Sequence, residues 1–189
     1  MKNKKRIGID FDKVLVNYPP FIPGFFIEKL YKKKNGKLSY RFPGKLEQKI
    51  RALSHLHQLR KPISKNIETL KKLPNNKDIE LYLISSRFSF LKKRTNEWFE
   101  KNNISKLFKG KFFNYENEQP HLFKNRIIKK NLITDFLDDD LDLLLFLSSH
   151  NPKINFYWVA SKKIATSLPK NIRQIKSLEE FRTNYLINK

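Results

Sequence analysis

The chain contains no cysteine. Disulfides, thiolate catalysis and cysteine-ligated zinc or iron–sulfur sites are therefore excluded. Long apolar runs are also missing. The unbroken stretch Leu143–Leu147 has five residues, far short of the roughly 18–20 that span a bilayer. Met1–Arg6 is basic, like the start of a signal peptide, but Ile7-Gly-Ile-Asp-Phe-Asp12 follows and its two carboxylates exclude an apolar leader core. A cytoplasmic protein with no membrane segment is the expectation. Acids are scarce as well: 18 Asp and Glu face 40 Lys and Arg, a net charge of +22. What is present suffices for a packed interior, because 39% of the 189 residues are hydrophobic and 13% aromatic. That argues against general disorder and for one domain, or one core with a modest insert.

Such an excess of positive charge attracts nucleic acid, nucleotides or other polyanions. The chain is also rich in Lys, Asn, Ile and Phe, which AT-biased coding favours, so charge alone names no partner. The acids are unevenly placed. Lys29 to Lys65 holds twelve basic residues and one acid, Glu47, whereas Asp135, Asp138, Asp139, Asp140 and Asp142 fall within eight positions.

Five segments read as strands by β-rich composition: 6–10, 79–85, 111–115, 132–137 and 154–160. Helical patterns lie between them. Leu46, Ile50, Leu53, Leu56 and Leu59 repeat at helical spacing over 44–59. Ser64 reads as a helix cap, and Ser177-Leu-Glu-Glu180 as a capping box. Strands alternating with helices predict an α/β fold, a Rossmann-like parallel sheet of about five strands flanked by helices. Residues 17–63 break the alternation with Pro19-Pro20, Pro23-Gly24, Asn35-Gly36 and Pro43-Gly44. This stretch reads as a small helical cap inserted after strand one, the core being 1–16 and 64–189. Leu46, Ile50 and Leu53 are expected to face the core or the insert. Lys45, Lys49, Arg51 and Arg60 are expected mostly in solvent, with one or two at the pocket mouth. Phe25, Phe26 and Tyr40 are read as cap core or as a surface for stacking a nucleobase, and Trp98 as core. His55, His57, His121 and His150 receive no ligand role.

An open parallel sheet binds ligands beyond the carboxyl ends of its strands. Strand one delivers Asp10 and Asp12 there. Strand two delivers Ser85, Ser86 and Arg87, and strand four Asp138 and Asp139. Lys124 stands near the start of the helix before strand four. Carboxylates, a hydroxyl and an ammonium gathered in this way suit phosphoryl transfer. A carboxylate attacks phosphorus, a second acid two residues on exchanges a proton, and a hydroxyl and a lysine hold phosphate oxygens. Mg²⁺ fits such oxygen donors.

Ile7-Gly-Ile-Asp10-Phe-Asp12-Lys-Val14-Leu15 resembles the first motif of the haloacid dehalogenase-like superfamily. Leu83-Ile84-Ser85-Ser86-Arg87 is similar to the second, Lys124 to the third-motif lysine, and Phe136-Leu137-Asp138-Asp139 to the fourth. The resemblance runs from residue 6 to about 160, with the insert in the slot of the family's first-type cap. It implies Asp10 as nucleophile and metal ligand. Asp12 would be the general acid/base and lend its backbone carbonyl to the metal. Ser85 would be the phosphate-binding hydroxyl, Lys124 the charge-neutralising lysine, and Asp138 the Mg²⁺ ligand with Asp139 as its competitor. Lys129 and Lys130 compete with Lys124 but sit late in their helix. Ser86 and Arg87 are candidates for substrate binding, Arg87 reading equally as a helix cap.

The leading expectation is a Mg²⁺-dependent phosphatase that hydrolyses a small phosphomonoester through an aspartyl-phosphate. A nucleotide is the analogy offered by the superfamily's 5′-nucleotidase-like members. The alternative is a nucleic-acid-binding or nucleic-acid-end-processing protein on the same scaffold.

Overall fold

A computed structural model describes residues 4–19, 32–35, 37–73, 78–162 and 167–187. Phe25, Phe26 and Gly36, singled out above, lie outside the described residues.

Six strands form one parallel sheet: β1 (Lys5–Ile9), β4 (Ile79–Ser85), β5 (Gly110–Phe113), β6 (Asp135–Asp138), β7 (Asn155–Val159) and β8 (Ile172–Ile175). Their order is β5-β4-β1-β6-β7-β8. A separate antiparallel pair joins β2 (Lys32–Asn35) to β3 (Lys37–Tyr40). The helices are α1 (Lys45–Ser54), α2 (Ser64–Lys72), α3 (Lys92–Asn102), α4 (Pro120–Lys130), α5 (Leu141–His150) and the short α6 (Leu178–Phe181).

Period-two alternation sends successive side chains to opposite faces of the sheet. Ile7, Ile9, Leu81 and Leu83 pack with Ile67 and Leu70 of α2, Trp98 and Phe99 of α3, and Leu178 and Phe181 of α6. Tyr82, Ile84, Phe136 and Phe156 pack on the other face with Phe123, Ile127 and Ile128 of α4 and Leu143, Leu144 and Leu147 of α5. Helices thus cover both faces, the arrangement that buries an all-parallel sheet. β1 is central, with β4 on one side and β6 on the other. Consecutive β-units leave β1 in both directions, and ligands bind at such a switch point.

The strand expectations hold, with one addition and small shifts. β8 is a sixth strand, paired parallel to β7. Its sequence, Ile-Arg-Gln-Ile, buries only its two end residues, so it carries too little apolar pattern to stand out. The fourth predicted strand begins three residues late, at Asp135, because Leu132 takes a left-handed backbone conformation with φ 51°. Ser64 is the first residue of α2 and not its cap; Ile63 holds the cap position without a side-chain bond. Ser177 does cap α6, accepting from the Glu180 amide, while the Glu180 carboxylate takes the Lys176 amide.

One expectation about the segment between β1 and α2 is overturned. The predicted helix ends at Ser54, and Leu46, Ile50 and Leu53 are 72%, 56% and 60% exposed. Ile50, Arg51, Ser54 and His55 line the cavity beneath the helix, so of the three only Ile50 reaches that wall. Arg51 and Arg60 are the two of the four basic residues that reach the cavity, and Arg60 is 1% exposed. Lys45 and Lys49 are exposed as expected. The two ends of the insert run side by side. Asn17 N donates to Lys61 O at 2.9 Å, Ile63 N to Leu15 O at 2.9 Å, and Val16 bridges Pro62.

No helix among the described residues is long and apolar enough to cross a membrane.

Gly8 shows how tightly β1 is held. A Cβ added there would meet Phe136 Cδ2 at 2.7 Å, Ile84 Cδ1 at 3.1 Å and Ile133 Cγ2 at 3.3 Å. All three residues are buried, so overpacking should cost about 1–3 kcal/mol. Gly8→Ala should therefore lower Tm by several degrees in a thermal melt. An unchanged Tm would mean that this layer is looser than described.

Candidate active site

The site is built from strand ends. Asp10 follows β1, and its amide continues the ladder by donating to Leu137 O of β6 at 2.9 Å. Asp138 ends β6, and Ser85 ends β4. Asp10, Ser85 and Asp138 are 5%, 1% and 1% exposed. Parallel pairing of β1 with β4 and β6 brings all three to one edge.

Lys124 comes from the first half of α4, where Phe123, Ile127 and Ile128 bury the helix on the sheet. Its Nζ donates to Asp10 Oδ1 and to Asp138 Oδ2, each at 2.6 Å. Burial works against its charge, but Asp10 and Asp138 outweigh this and raise its pKa. Burial pushes the Asp10 carboxyl well up. Lys124 pulls it back, while Asp138, Asp139 and Asp12 push further. Asp138 is raised by burial too, against Lys124, and its Oδ1 accepts from the Asp140 amide at 3.0 Å. Asp139 pairs with Lys13 Nζ at 3.0 Å, yet burial lifts its pKa to about 7. Lys129 and Lys130 are exposed, away from this group.

Carboxylate oxygens of Asp10, Asp138 and Asp139 all lie within 4.8 Å of one another. Octahedral Mg²⁺ with bonds near 2.0–2.1 Å sets its oxygens about 2.9 Å apart when adjacent and about 4.2 Å when opposite. The donor set thus has the chemistry and the spacing for a hard divalent cation. The Asp12 side chain is not in that cluster, and the expected contribution of Asp12 to the metal is its backbone carbonyl.

Asp12 instead faces two arginines. Arg87 Nε donates to Oδ2 and Nη2 to Oδ1, both at 2.8 Å, and Arg60 Nη2 donates to Oδ1 as well. Burial pushes the Asp12 carboxyl up, but the Arg87 and Arg60 charges overcome this and hold it well below the carboxylate range. Asp12 is therefore an ionised acceptor as placed. Arg87 neither caps a helix nor presents a free fork. Its Nη1 donates to Thr95 at 3.1 Å, and its guanidinium lies 4.3 Å from the Phe11 ring centroid. Ser86 Oγ is buried with no hydrogen-bond partner.

These groups line one cavity of about 310 Å³, shared with Tyr18, Tyr40, Phe88 and Arg41 among others. Tyr40 is tied to the core and not only to the insert. Its hydroxyl donates to Asp140 Oδ2 at 2.9 Å, and its backbone exchanges bonds with the Gln119 side chain at 2.8 and 3.0 Å. Arg60 and His55 are the lining residues that sequence reasoning missed. A lone arginine in a basic segment carries no periodic signal. His55 is buried and kept neutral, by burial first and then by the Arg87 and Arg60 charges.

No family model matches the chain, and no curated protein matches it. Solved structures do. A protein from Bacteroides fragilis, described as a haloacid dehalogenase-like hydrolase, aligns over 93% of this chain and 98% of its own, with TM-score 0.63 and 13% identity. A haloacid dehalogenase superfamily hydrolase from Ehrlichia chaffeensis aligns over 97% and 96%, with TM-score 0.57 and 13% identity. A haloacid dehalogenase family enzyme from Bacteroides thetaiotaomicron, solved as a variant in complex with magnesium and inorganic phosphate, aligns over 86% and 97%, with TM-score 0.55 and 15% identity. This chain has the fold of those hydrolases.

Removing one partner from a buried charge group leaves the others uncompensated, at a cost of about 3–5 kcal/mol. Lys124→Met should therefore lose stability on that order in urea unfolding without divalent cations. Equal midpoints for the two proteins would show that the Asp10 and Asp138 carboxyls do not depend on Lys124.

Proposed function

We propose that the chain is a Mg²⁺-dependent phosphatase acting on a small phosphomonoester through an aspartyl-phosphate on Asp10. The observation that carries this reading is the buried convergence of Asp10, Asp138, Asp139 and Lys124 at the carboxyl edge of the sheet. The magnesium and phosphate bound by the Bacteroides thetaiotaomicron neighbour support it.

Asp10, Asp138 and Asp139 would hold the cation, joined by the Asp12 backbone carbonyl. A bound Mg²⁺ supplies positive charge that favours ionised carboxylates and screens them from the phosphate. The Asp10 carboxylate attacks phosphorus, and the bond to the leaving oxygen breaks as that oxygen takes a proton from solvent. Lys124 neutralises charge on the phosphoryl oxygens, and Ser85 Oγ donates to one of them. Water then attacks the aspartyl-phosphate, releasing phosphate and restoring Asp10. Asp12, held ionised by its arginines, accepts the proton of that water. Residues 17–63 would form the cap, since Tyr40, Arg51, His55 and Arg60 contribute cavity wall.

One observation favours a second reading, action on nucleic-acid ends. A more open cavity of about 830 Å³ adjoins the site at Asp139 and Tyr18, with Lys13, Lys61, Lys162 and Lys176 in its wall.

The test is a panel of phosphomonoesters and a phosphorylated oligonucleotide, with Mg²⁺ and with EDTA, on the native protein and Asp10→Asn. Native hydrolysis should require Mg²⁺, and the variant should lose at least about a thousandfold in kcat while remaining folded. Near-normal turnover by Asp10→Asn would contradict the mechanism. A large preference for the oligonucleotide would select the second reading.

A further inference from the structure

Arg60 is a buried cation whose hydrogen-bonding capacity the mechanism above does not use. Its Nη2 donates to Asp12, but Nε and Nη1 are buried without an acceptor among the described residues. Arg87 already gives the same carboxylate two bonds at 2.8 Å. Two guanidinium groups on one carboxylate leave one positive charge unbalanced at this wall of the cavity.

Burying a guanidinium with unused donors is costly. The fold nevertheless fixes Arg60 in place. Trp98 Nε1 donates to its carbonyl at 2.7 Å, and the Tyr18 ring lies 5.4 Å from the guanidinium. A second donor without a partner, Ser86 Oγ, belongs to the same cavity. An oxygen-bearing anion from outside the chain would supply acceptors that these donors lack. Arg60 or Tyr18 must turn for it to reach them, and both side chains line the cavity.

Position says which part of a ligand this is. In the mechanism above Asp12 takes a proton from the water that attacks opposite Asp10, the side by which the leaving group departs. Groups that border Asp12 therefore border the leaving group and not the transferred phosphoryl group. We propose that Arg60, assisted by Ser86, binds a second anionic group on the leaving-group part of the substrate. The substrate class is then a small phosphomonoester carrying a carboxylate or a second phosphate. Nε and Nη1 lie on different edges of the guanidinium, so each would give a carboxylate or phosphate oxygen one charge-assisted bond. This inference rests on the phosphatase reading and narrows it.

The experiment compares ethyl phosphate, phosphoglycolate and propanediol bisphosphate as substrates for the native protein, Arg60→Met and Arg60→Lys. Native kcat/KM should be at least about tenfold higher for one of the two doubly anionic compounds than for ethyl phosphate. Which compound gains distinguishes carboxylate from phosphate. All rates should fall in Arg60→Met, because Asp12 loses a partner. The preference ratio should fall as well, to near one, and Arg60→Lys should restore part of it. An unchanged ratio would show that Arg60 only positions Asp12 and would overturn the proposal, as would a native protein with no preference. Calorimetric titration of the same three compounds decides the case where nothing is hydrolysed. Tighter binding of a doubly anionic compound that Arg60→Met abolishes would uphold the anion site while the phosphatase reading failed. Equal binding of all three would overturn both.

Discussion

One buried ammonium holds the centre of this molecule together. β1 and β6 are hydrogen-bonded neighbours, and each ends in an aspartate at the same edge. Two carboxylates brought together in a low-dielectric interior repel one another, and both lose hydration. Lys124 reaches them from the opposite layer and touches each at 2.6 Å. Its reach depends on α4 lying flat on the sheet, which Phe123, Ile127, Ile128 and the Phe136 ring secure. Core packing and site electrostatics are thus one problem here. The helix that buries apolar surface also delivers the charge that makes adjacent acids tolerable.

Those parts of the site that follow from parallel topology were legible in the sequence. Asp10, Ser85 and Asp138 each stand where an apolar β run meets a polar residue, and a parallel sheet sends all such points to one edge. Lys124 was legible through its place before the fourth predicted strand. The insert was legible only as a stretch too long for a crossover. Its α1 carries an apolar stripe, Leu46, Ile50 and Leu53, that would ordinarily face a core. The structure leaves Leu46 and Leu53 exposed and sets Ile50 beside Arg51, Ser54 and His55 at the wall of a polar cavity. Hydrophobic periodicity reports where a helix can be buried, and a site wall reverses the preference. Arg60 was hidden for a related reason: among so many lysines and arginines, one charge looks like any other. β8 was missed because an edge strand with two buried residues leaves almost no pattern.

The Asp12 side of the site is organised differently from the Asp10 side. Around Asp10, acids outnumber the cations that touch them, which suits a divalent ion. Around Asp12, two arginines converge on one acid, which suits an anion. The chain passes between these regions within two residues of β1, and Arg60 comes from the returning end of the insert, beside Asn17 and Val16. Trp98, in the core against Phe11 at 4.8 Å, fixes that return through the Arg60 carbonyl. The insert is therefore tied into the core at the point where its charge enters the cavity. Under the proposed function, opposite local charge on two sides of one cavity would orient a phosphoester that carries its own asymmetry.

The central claim is that Asp10 forms a covalent bond to phosphorus. Borohydride reduces an aspartyl-phosphate to homoserine, and peptide mass spectrometry reads that change at a single residue. The native protein would be mixed with Mg²⁺ and its best phosphomonoester, quenched in acid during turnover, reduced and digested. The account predicts homoserine at Asp10, only with substrate and Mg²⁺ present, and unmodified Asp12, Asp138 and Asp139. Homoserine at any other aspartate, or unmodified Asp10 during active turnover, would contradict it.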